Sequence, residues 1–270
     1  MAKKISIVMN VDTRPENLVE GQMGSGVTSM ELIVDGINNK LSFFKGFDVE
    51  LILYVDVHEA IHPMSLAFLT SICDKVCFSK HVKGKEKQND YNYLKALQLA
   101  SGDYIAHFDM DMAAFTRDET YVQALLNMLE KYTFVSYPAQ HSPAPCHDDS
   151  FDYWWVSTRF FICKREVLQF DLIEECLKNE FFLNKVFPAK KNLYWFEHIL
   201  GRIAKHTSMH PVIYPTMDLT NYAIWSWKRY VPHTLGILNN MPYDEVGEYI
   251  NKCQGIFYPC DLDGHKIVQK

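Results

Sequence analysis

The chain has 270 residues, 27 basic and 33 acidic side chains, a formal net charge of −6 and 48% hydrophobic residues. This is enough to bury a full core in one large α/β domain, and the mildly acidic balance argues against a nucleic-acid partner. No apolar run reaches the roughly 18 residues needed to cross a bilayer, and the 7 cysteines, odd in number and without CxxC spacing, predict reduced thiols rather than a zinc site or disulfide framework.

Lys3 and Lys4 precede a short apolar run and so mimic the start of a secretory signal. The run is too short, polar Asn10, Asp12 and Arg14 follow it, and no small-residue cleavage site appears. Residues 5–11 therefore read as a first strand, and a cytoplasmic location is expected. Residues 29–40 have helical spacing at Met30, Ile33, Val34 and Ile37. Residues 49–55, VELILYV, are continuously apolar, as in a strand covered on both faces of a parallel sheet. A helix is predicted at 63–73, a short strand at 75–78, a lysine-rich loop at 81–90 and a helix at 91–100 closed by Ser101-Gly102. A strand at 103–108, a helix at 120–131 and a strand at 132–137 follow.

The second half is less regular. A polar loop at 138–153 contains Pro143, Pro145, His141 and His147, and Trp154-Trp155 follow it. A strand is predicted at 158–163, helices at 166–178, 193–206 and 243–253, and a short strand at 211–214. Residues 217–236 are rich in aromatics, including Trp225 and Trp227. Glycines 21, 24 and 26 form neither a P-loop nor a GxGxxG turn and read as a loop. The alternation of strand and helix through the first 110 residues predicts a mostly parallel central sheet with helices on both faces. Ligands of such sheets sit at the carboxyl ends of the strands. There this chain has Asp12 to Arg14, Asp56, and Asp109 to Asp111.

Asp109 and Asp111 lie one residue apart at the end of a buried strand. At i and i+2 of an extended chain they project to the same side, where two carboxylates repel. A divalent cation relieves that repulsion, and hard oxygen ligands suit Mg²⁺ or Mn²⁺.

The stretch from Tyr93 to Asp111, ending Gly102-Asp103-Tyr104-Ile105-Ala106-His107-Phe108-Asp109-Met110-Asp111, resembles the core of GT-A fold glycosyltransferases, especially the family 2 type. That family often has Asn or Arg on the preceding helix, where this chain has Tyr93 and Leu94. Three other stretches resemble the same family: the opening strand through Arg14, the segment 157–166, and Trp195-Phe196-Glu197-His198 with Arg202. The resemblance covers roughly residues 5–235 and implies a single GT-A-like α/β domain over 1–270. Its halves would be nucleotide-sugar-binding at 1–112 and acceptor-binding at 113–270. It implies Asp109 and Asp111 as metal positions, with Met110 between them at the donor. Val11, Asp12, Thr13, Arg14 and Asp56 are placed at the donor base and ribose. His233 falls where some members put a late histidine on the metal or diphosphate. The family's usual Asp after Glu197 is His198 here, so either residue is a candidate for the catalytic position.

The implied activity is metal-dependent transfer of a sugar from a nucleotide-diphospho-sugar, UDP being the family's commonest carrier, to an acceptor hydroxyl. Glu197 is the candidate base, and a single displacement would invert the anomeric centre. Two other readings stay open on the residues: a sugar-nucleotide nucleotidyltransferase, and a non-catalytic nucleotide-sugar-binding module. A glycoside hydrolase needs its two carboxylates roughly 5–9 Å apart across the sugar, and adjacent Asp109 and Asp111 are better placed for a metal.

Overall fold

A computed structural model describes residues 3–13, 29–57, 61–80, 86–110, 112–116, 120–136, 147–148, 153–154, 158, 160–188, 196–207, 211–213 and 222–226. Strand β1 (Lys4–Asp12), β2 (Asp48–Val57), β3 (Lys75–Lys80) and β4 (Tyr104–Asp109) alternate with helices α1 (Ser29–Phe43), α2 (Pro63–Ser71) and α3 (Glu86–Gln98). β5 (Met112–Thr116), α4 (Tyr121–Met128) and β6 (Phe134–Ser136) follow. Then come the two-residue strands β7 (His147–Asp148) and β8 (Tyr153–Trp154), and β9 (Phe160–Lys164). Helices α5 (Phe170–Lys178), α6 (Glu180–Val186) and α7 (Phe196–His206), with strands β10 (Pro211–Ile213) and β11 (Tyr222–Ser226), complete the described chain.

Seven strands form the main sheet in the order β10-β6-β9-β4-β1-β2-β3. β1 is parallel to β2 and β4, and β2 to β3. β9 alone runs antiparallel, wedged between β4 and β6. The expected α/β architecture, a mostly parallel sheet with helices on both faces, is what the chain forms. The reason is visible in β1, where Ile5, Ile7, Met9 and Val11 enter one core with α1, α2 and α4, while Val8 enters a second with α3, α5, α6 and α7. A strand buried on both faces has to be apolar at nearly every position.

The amino-terminal edge of the sheet is tied by one buried acid. Glu50, 4% exposed, accepts hydrogen bonds from the Ser6 hydroxyl, from the Ser101 N–H and hydroxyl, and from Lys4 and Lys75 at 3.2 and 3.1 Å. It thereby joins β1, β2, β3 and the turn before β4. In that turn a Cβ on Gly102 would lie 2.7 Å from the Lys4 carbonyl oxygen and 2.8 Å from the Ser6 nitrogen. Only glycine lets the turn lie against β1.

Several elements differ from expectation. Residues 86–90, expected as loop, are the first turns of α3. The helix expected at 166–178 is a single 3-10 turn at Arg165–Val167 followed by α5, and α6 was not expected. The α5–α6 break falls at Asn179, whose side chain accepts the Phe182 N–H and caps α6. β5 and β11 were not expected either. They pair with each other, Ala114 opposite Ile224, in a separate two-stranded ribbon. At five residues each, MAAFT and YAIWS are mostly apolar without alternation and so carry no period that marks a strand. The glycine segment 21–26, the helix at 243–253 and most of the loop at 138–153 lie outside the described residues. Among the described residues no helix is long and apolar enough to cross a membrane, and Cys73, Cys77, Cys163 and Cys176 are free thiols.

Candidate active site

In the parallel part of the sheet, strands β1, β2 and β3 proceed in one direction from β1, and β4 lies on its other side. The order therefore reverses between β1 and β4, and a sheet of this kind opens a crevice beyond the carboxyl ends of those two strands. Register places Asn10 opposite Asp109 at that reversal, and Asp12 opposite Asp56 beside it. The Asn10 Nδ2 donates to Asp109 Oδ1 across the gap at 3.4 Å. Thr13 closes the end of β1 against β2, its N–H and hydroxyl donating to the Asp56 carbonyl at 3.3 and 2.8 Å.

Alternation along β4 sets which way each side chain goes. Ala106, Phe108 and Met110 belong to the core beneath α1, so His107 and Asp109 belong to the opposite face, where Tyr93 and Phe196 pack. His107 is 1% exposed, and its Nε2 lies 3.6 Å from Asp109 Oδ1. Asp109 is partly exposed, and its contacts from Asn10 and His107 both fall on Oδ1. The buried Asn10 Oδ1 and the Tyr93 hydroxyl have no hydrogen-bond partner among the described residues.

The turn that follows β4 is held from α1. Lys40, fully buried, reaches the Met110 carbonyl at 3.4 Å and sits over the Phe108 ring, 5.5 Å from its centroid. Asn39 donates to the Ala114 carbonyl at 2.7 Å and accepts the Ala114 N–H at 2.8 Å, as a strand neighbour would. Gly36 lets α1 come this close: a Cβ there would be 2.8 Å from Met9 Cε and 2.9 Å from the Met110 carbonyl oxygen.

Glu197 comes from the first turn of α7, where an acidic side chain is favoured by the helix dipole. Its Oε1 accepts the Thr158 N–H and hydroxyl, both at 2.8 Å. The start of α7 is fixed in turn by Asp90 of α3, whose Oδ2 accepts the Phe196 N–H at 3.0 Å. Tyr93, one turn along α3, packs edge-on against both His107 and Phe196, with centroids 5.0 Å away in each case. Burial pushes the Tyr93 hydroxyl well above its ordinary pKa, and the carboxylates of Asp109, Glu197 and Asp90 add to the rise. Asp109 and Glu197, 88 positions apart in sequence, are thus both within electrostatic reach of one phenol.

Of the residues expected at the site, Asp12, Thr13, Asp56 and Asp109 stand at this edge, and Glu197 stands at the start of α7, bonded to Thr158. Val11 and Met110 are core residues at 0% and 6% exposure, and the Met110 sulfur accepts the Asp12 N–H at 3.3 Å. Only their main-chain atoms remain to face a ligand. His198 is fully buried. Arg14, Asp111 and His233 lie outside the described residues. Asn10, Tyr93 and His107 were not singled out from the sequence as site residues. Their signal is a polar group at a position that the flanking apolar pattern assigns to the core.

The donor set suits a hard divalent cation. Asp109 offers a partly exposed carboxylate whose contacts from Asn10 and His107 fall on Oδ1, and Asn10 Oδ1 is a buried oxygen without a hydrogen-bond partner among the described residues; Mg²⁺ and Mn²⁺ need few protein oxygens because they retain water and phosphate ligands. Among the described residues no three His, Cys, Asp or Glu side chains converge as a complete metal cage.

The fold and site define an α/β protein with an acidic, partly solvated edge at the switch point of its sheet. No family model and no curated protein matches the chain. Among solved structures it is similar to the mannosyltransferase PcManGT from Pyrobaculum calidifontis in complex with GDP-Man and Mn²⁺, at 12% identity and a TM-score of 0.40, covering 63% of this chain and 46% of that one. It is also similar to galactosyltransferase LgtC in complex with donor and acceptor sugar analogs, at 12% identity and a TM-score of 0.41, covering 73% of this chain and 70% of that one. An active-site mutant of LgtC gives the same identity and TM-score over 69% of its length. The chain spans less than half the length of the mannosyltransferase.

Proposed function

We propose that this chain is a metal-dependent glycosyltransferase that moves a sugar from a nucleotide-diphospho-sugar, a UDP-sugar in the first instance, to an acceptor hydroxyl with inversion. The observation that carries the reading is the Asn10–Asp109 pair at the switch point of the sheet, with the start of α7, which carries Glu197, packed through Phe196 on the Tyr93 ring that also meets His107. Asp12, Thr13, Arg14 and Asp56 then serve the donor base and ribose at the ends of β1 and β2. Asp109, with Asp111 and His233, holds the cation. The part of the chain after residue 112, including Trp154 and Trp155, serves the acceptor, whose sugar faces suit aromatic side chains.

A bound Mg²⁺ or Mn²⁺ would offset the charge that develops on the departing diphosphate. The chain's own contribution is position and a proton acceptor. The acceptor oxygen forms its bond to the anomeric carbon as the bond to the diphosphate breaks, and its proton passes to the Glu197 carboxylate. Thr158 holds that carboxylate through Oε1, which fixes the side chain without adding a competing charge.

The test is a thermal-shift and product assay over UDP-, GDP- and other nucleotide-sugars, with and without Mn²⁺. A donor that raises the melting temperature only with Mn²⁺, together with its hydrolysis or transfer, supports the reading. Equal Mn²⁺ dependence in Asp109→Ala removes it, and pyrophosphate release from a nucleoside triphosphate would replace it with nucleotidyl transfer.

A further inference from the structure

His107 is the polar side chain beside Asp109 to which the proposed reaction gives no task. It is 1% exposed, and neither ring nitrogen has a hydrogen-bond partner among the described residues. Its walls are aromatic: the Tyr93 ring stands edge-on at 5.0 Å and the Phe161 ring tilts over it at 5.3 Å. Unpaired polar atoms in such a slot are costly, and phenylalanine would fill it without that cost. Packing therefore does not account for an imidazole at this position.

The imidazole does have Asp109 beside it. The two residues stand at i and i+2 on β4, on one face of the sheet, with Nε2 3.6 Å from Oδ1. From β1, Asn10 Nδ2 reaches the same oxygen at 3.4 Å. Both contacts converge on Oδ1 and neither on Oδ2.

We propose that His107 is a positioning residue: its Nε2–H, together with Asn10 Nδ2, holds Oδ1 of Asp109 and so presents Oδ2 to a divalent cation. This rests on Asp109 being a cation ligand, as read above. Outer partners of this kind set the orientation of ligating groups. The 3.6 Å separation exceeds a hydrogen bond and falls among the contacts that tighten when a site fills. The contact places the ring proton on Nε2, an assignment made from geometry.

The test titrates Mn²⁺ calorimetrically into the full chain in the presence of UDP, and of GDP in parallel. The proteins are wild type, His107→Phe, His107→Gln and Asp109→Ala, each also melted without metal. His107→Phe removes the donor, and His107→Gln keeps one. The expected result is an apo melting temperature for His107→Phe at or above wild type, a Mn²⁺ affinity about 10–100-fold weaker, and substantial recovery in His107→Gln. Wild-type Mn²⁺ affinity in His107→Phe overturns the positioning role and leaves the cation reading intact. Equal weakening in Phe and Gln variants also overturns it, because packing alone would then be at work. A wild-type protein that binds no Mn²⁺, or an Asp109→Ala variant that binds it equally well, removes the cation reading and the His107 role together. Should His107→Phe fail to fold, the smaller His107→Leu serves as the non-donor in the same comparison.

Discussion

Asp90 Oδ2 accepts the backbone N–H of Phe196 at 3.0 Å, joining residues 106 positions apart. The bond satisfies one of the amide groups that a helix start leaves without an internal partner. It also fixes where Glu197, the next residue, stands relative to Tyr93 and Asp109.

Asp90→Ala should therefore lower kcat by about 10-fold or more while leaving donor affinity near wild type. A misplaced group costs rate rather than binding. The stability loss should be about 1 kcal/mol, as for a lost helix cap. Steady-state kinetics alongside donor titration separates the two effects, and an unchanged kcat would show that the base is positioned without this bond.

Glu197→Gln should retain donor and Mn²⁺ binding and lose transfer by roughly 10²–10⁴-fold, the range of general base catalysis. The amide still accepts the Thr158 hydrogen bonds at its oxygen but takes no proton. Product formation at saturating donor is the measurement, and wild-type turnover would move the base elsewhere.

Gly36→Ala drives a methyl group to 2.8 Å from Met9 Cε and 2.9 Å from the Met110 carbonyl oxygen. The methionine side chain yields, but the carbonyl belongs to the turn that directly follows Asp109. Destabilisation of about 1–3 kcal/mol is expected from overpacking, accompanied by weaker Mn²⁺ binding. Denaturant melts and a Mn²⁺ titration check both, and weakened stability with intact metal affinity would mean that α1 moves instead of the turn.

Glu50 predicts a pH dependence. Burial by itself raises its carboxyl pKa, but hydrogen bonds from Ser6, Ser101 and Lys75 outweigh burial and hold it well below the usual range. The folded state thus binds this proton less readily than the unfolded chain. The stabilisation is complete above the unfolded pKa of about 4.3 and drains away as pH falls from there toward the folded value. At pH 7, Glu50→Gln should be less stable than wild type by about 1–3 kcal/mol, because the Ser6 and Ser101 donors lose a charged acceptor. Urea melts at pH 7 and pH 3.5 should show that difference shrinking at the lower pH. A constant difference would mean that Glu50 keeps its ordinary pKa.

Much of the architecture around β1 to β4 was legible from local pattern. The continuous apolar run of β2 marked a strand covered on both faces, and Ser101-Gly102 marked the end of α3. Asp109 was found because a buried strand running into acid is conspicuous in one dimension. Arg202 was visible only as part of a resemblance. In the structure its Nε donates to the Phe187 carbonyl at 2.7 Å, and one terminal nitrogen reaches the Leu183 carbonyl and Asn184 Oδ1. The guanidinium thus caps the end of α6, where a cation opposes the helix dipole.

By itself, the sequence determined β1 to β4 with the helices between them, and placed Asp12, Asp56 and Asp109 at the sheet's acidic edge. Periodicity and turn chemistry are properties of neighbours in the chain, and a two-residue or four-residue repeat selects a face whatever the rest of the molecule does. Only the tertiary structure decided that β9 enters antiparallel between β4 and β6, that the start of α7, which carries Glu197, packs through Phe196 on Tyr93, and that Asn10 reaches the Asp109 carboxylate. Those relationships depend on register and packing between segments tens to a hundred residues apart, and no local pattern encodes a distance of that kind.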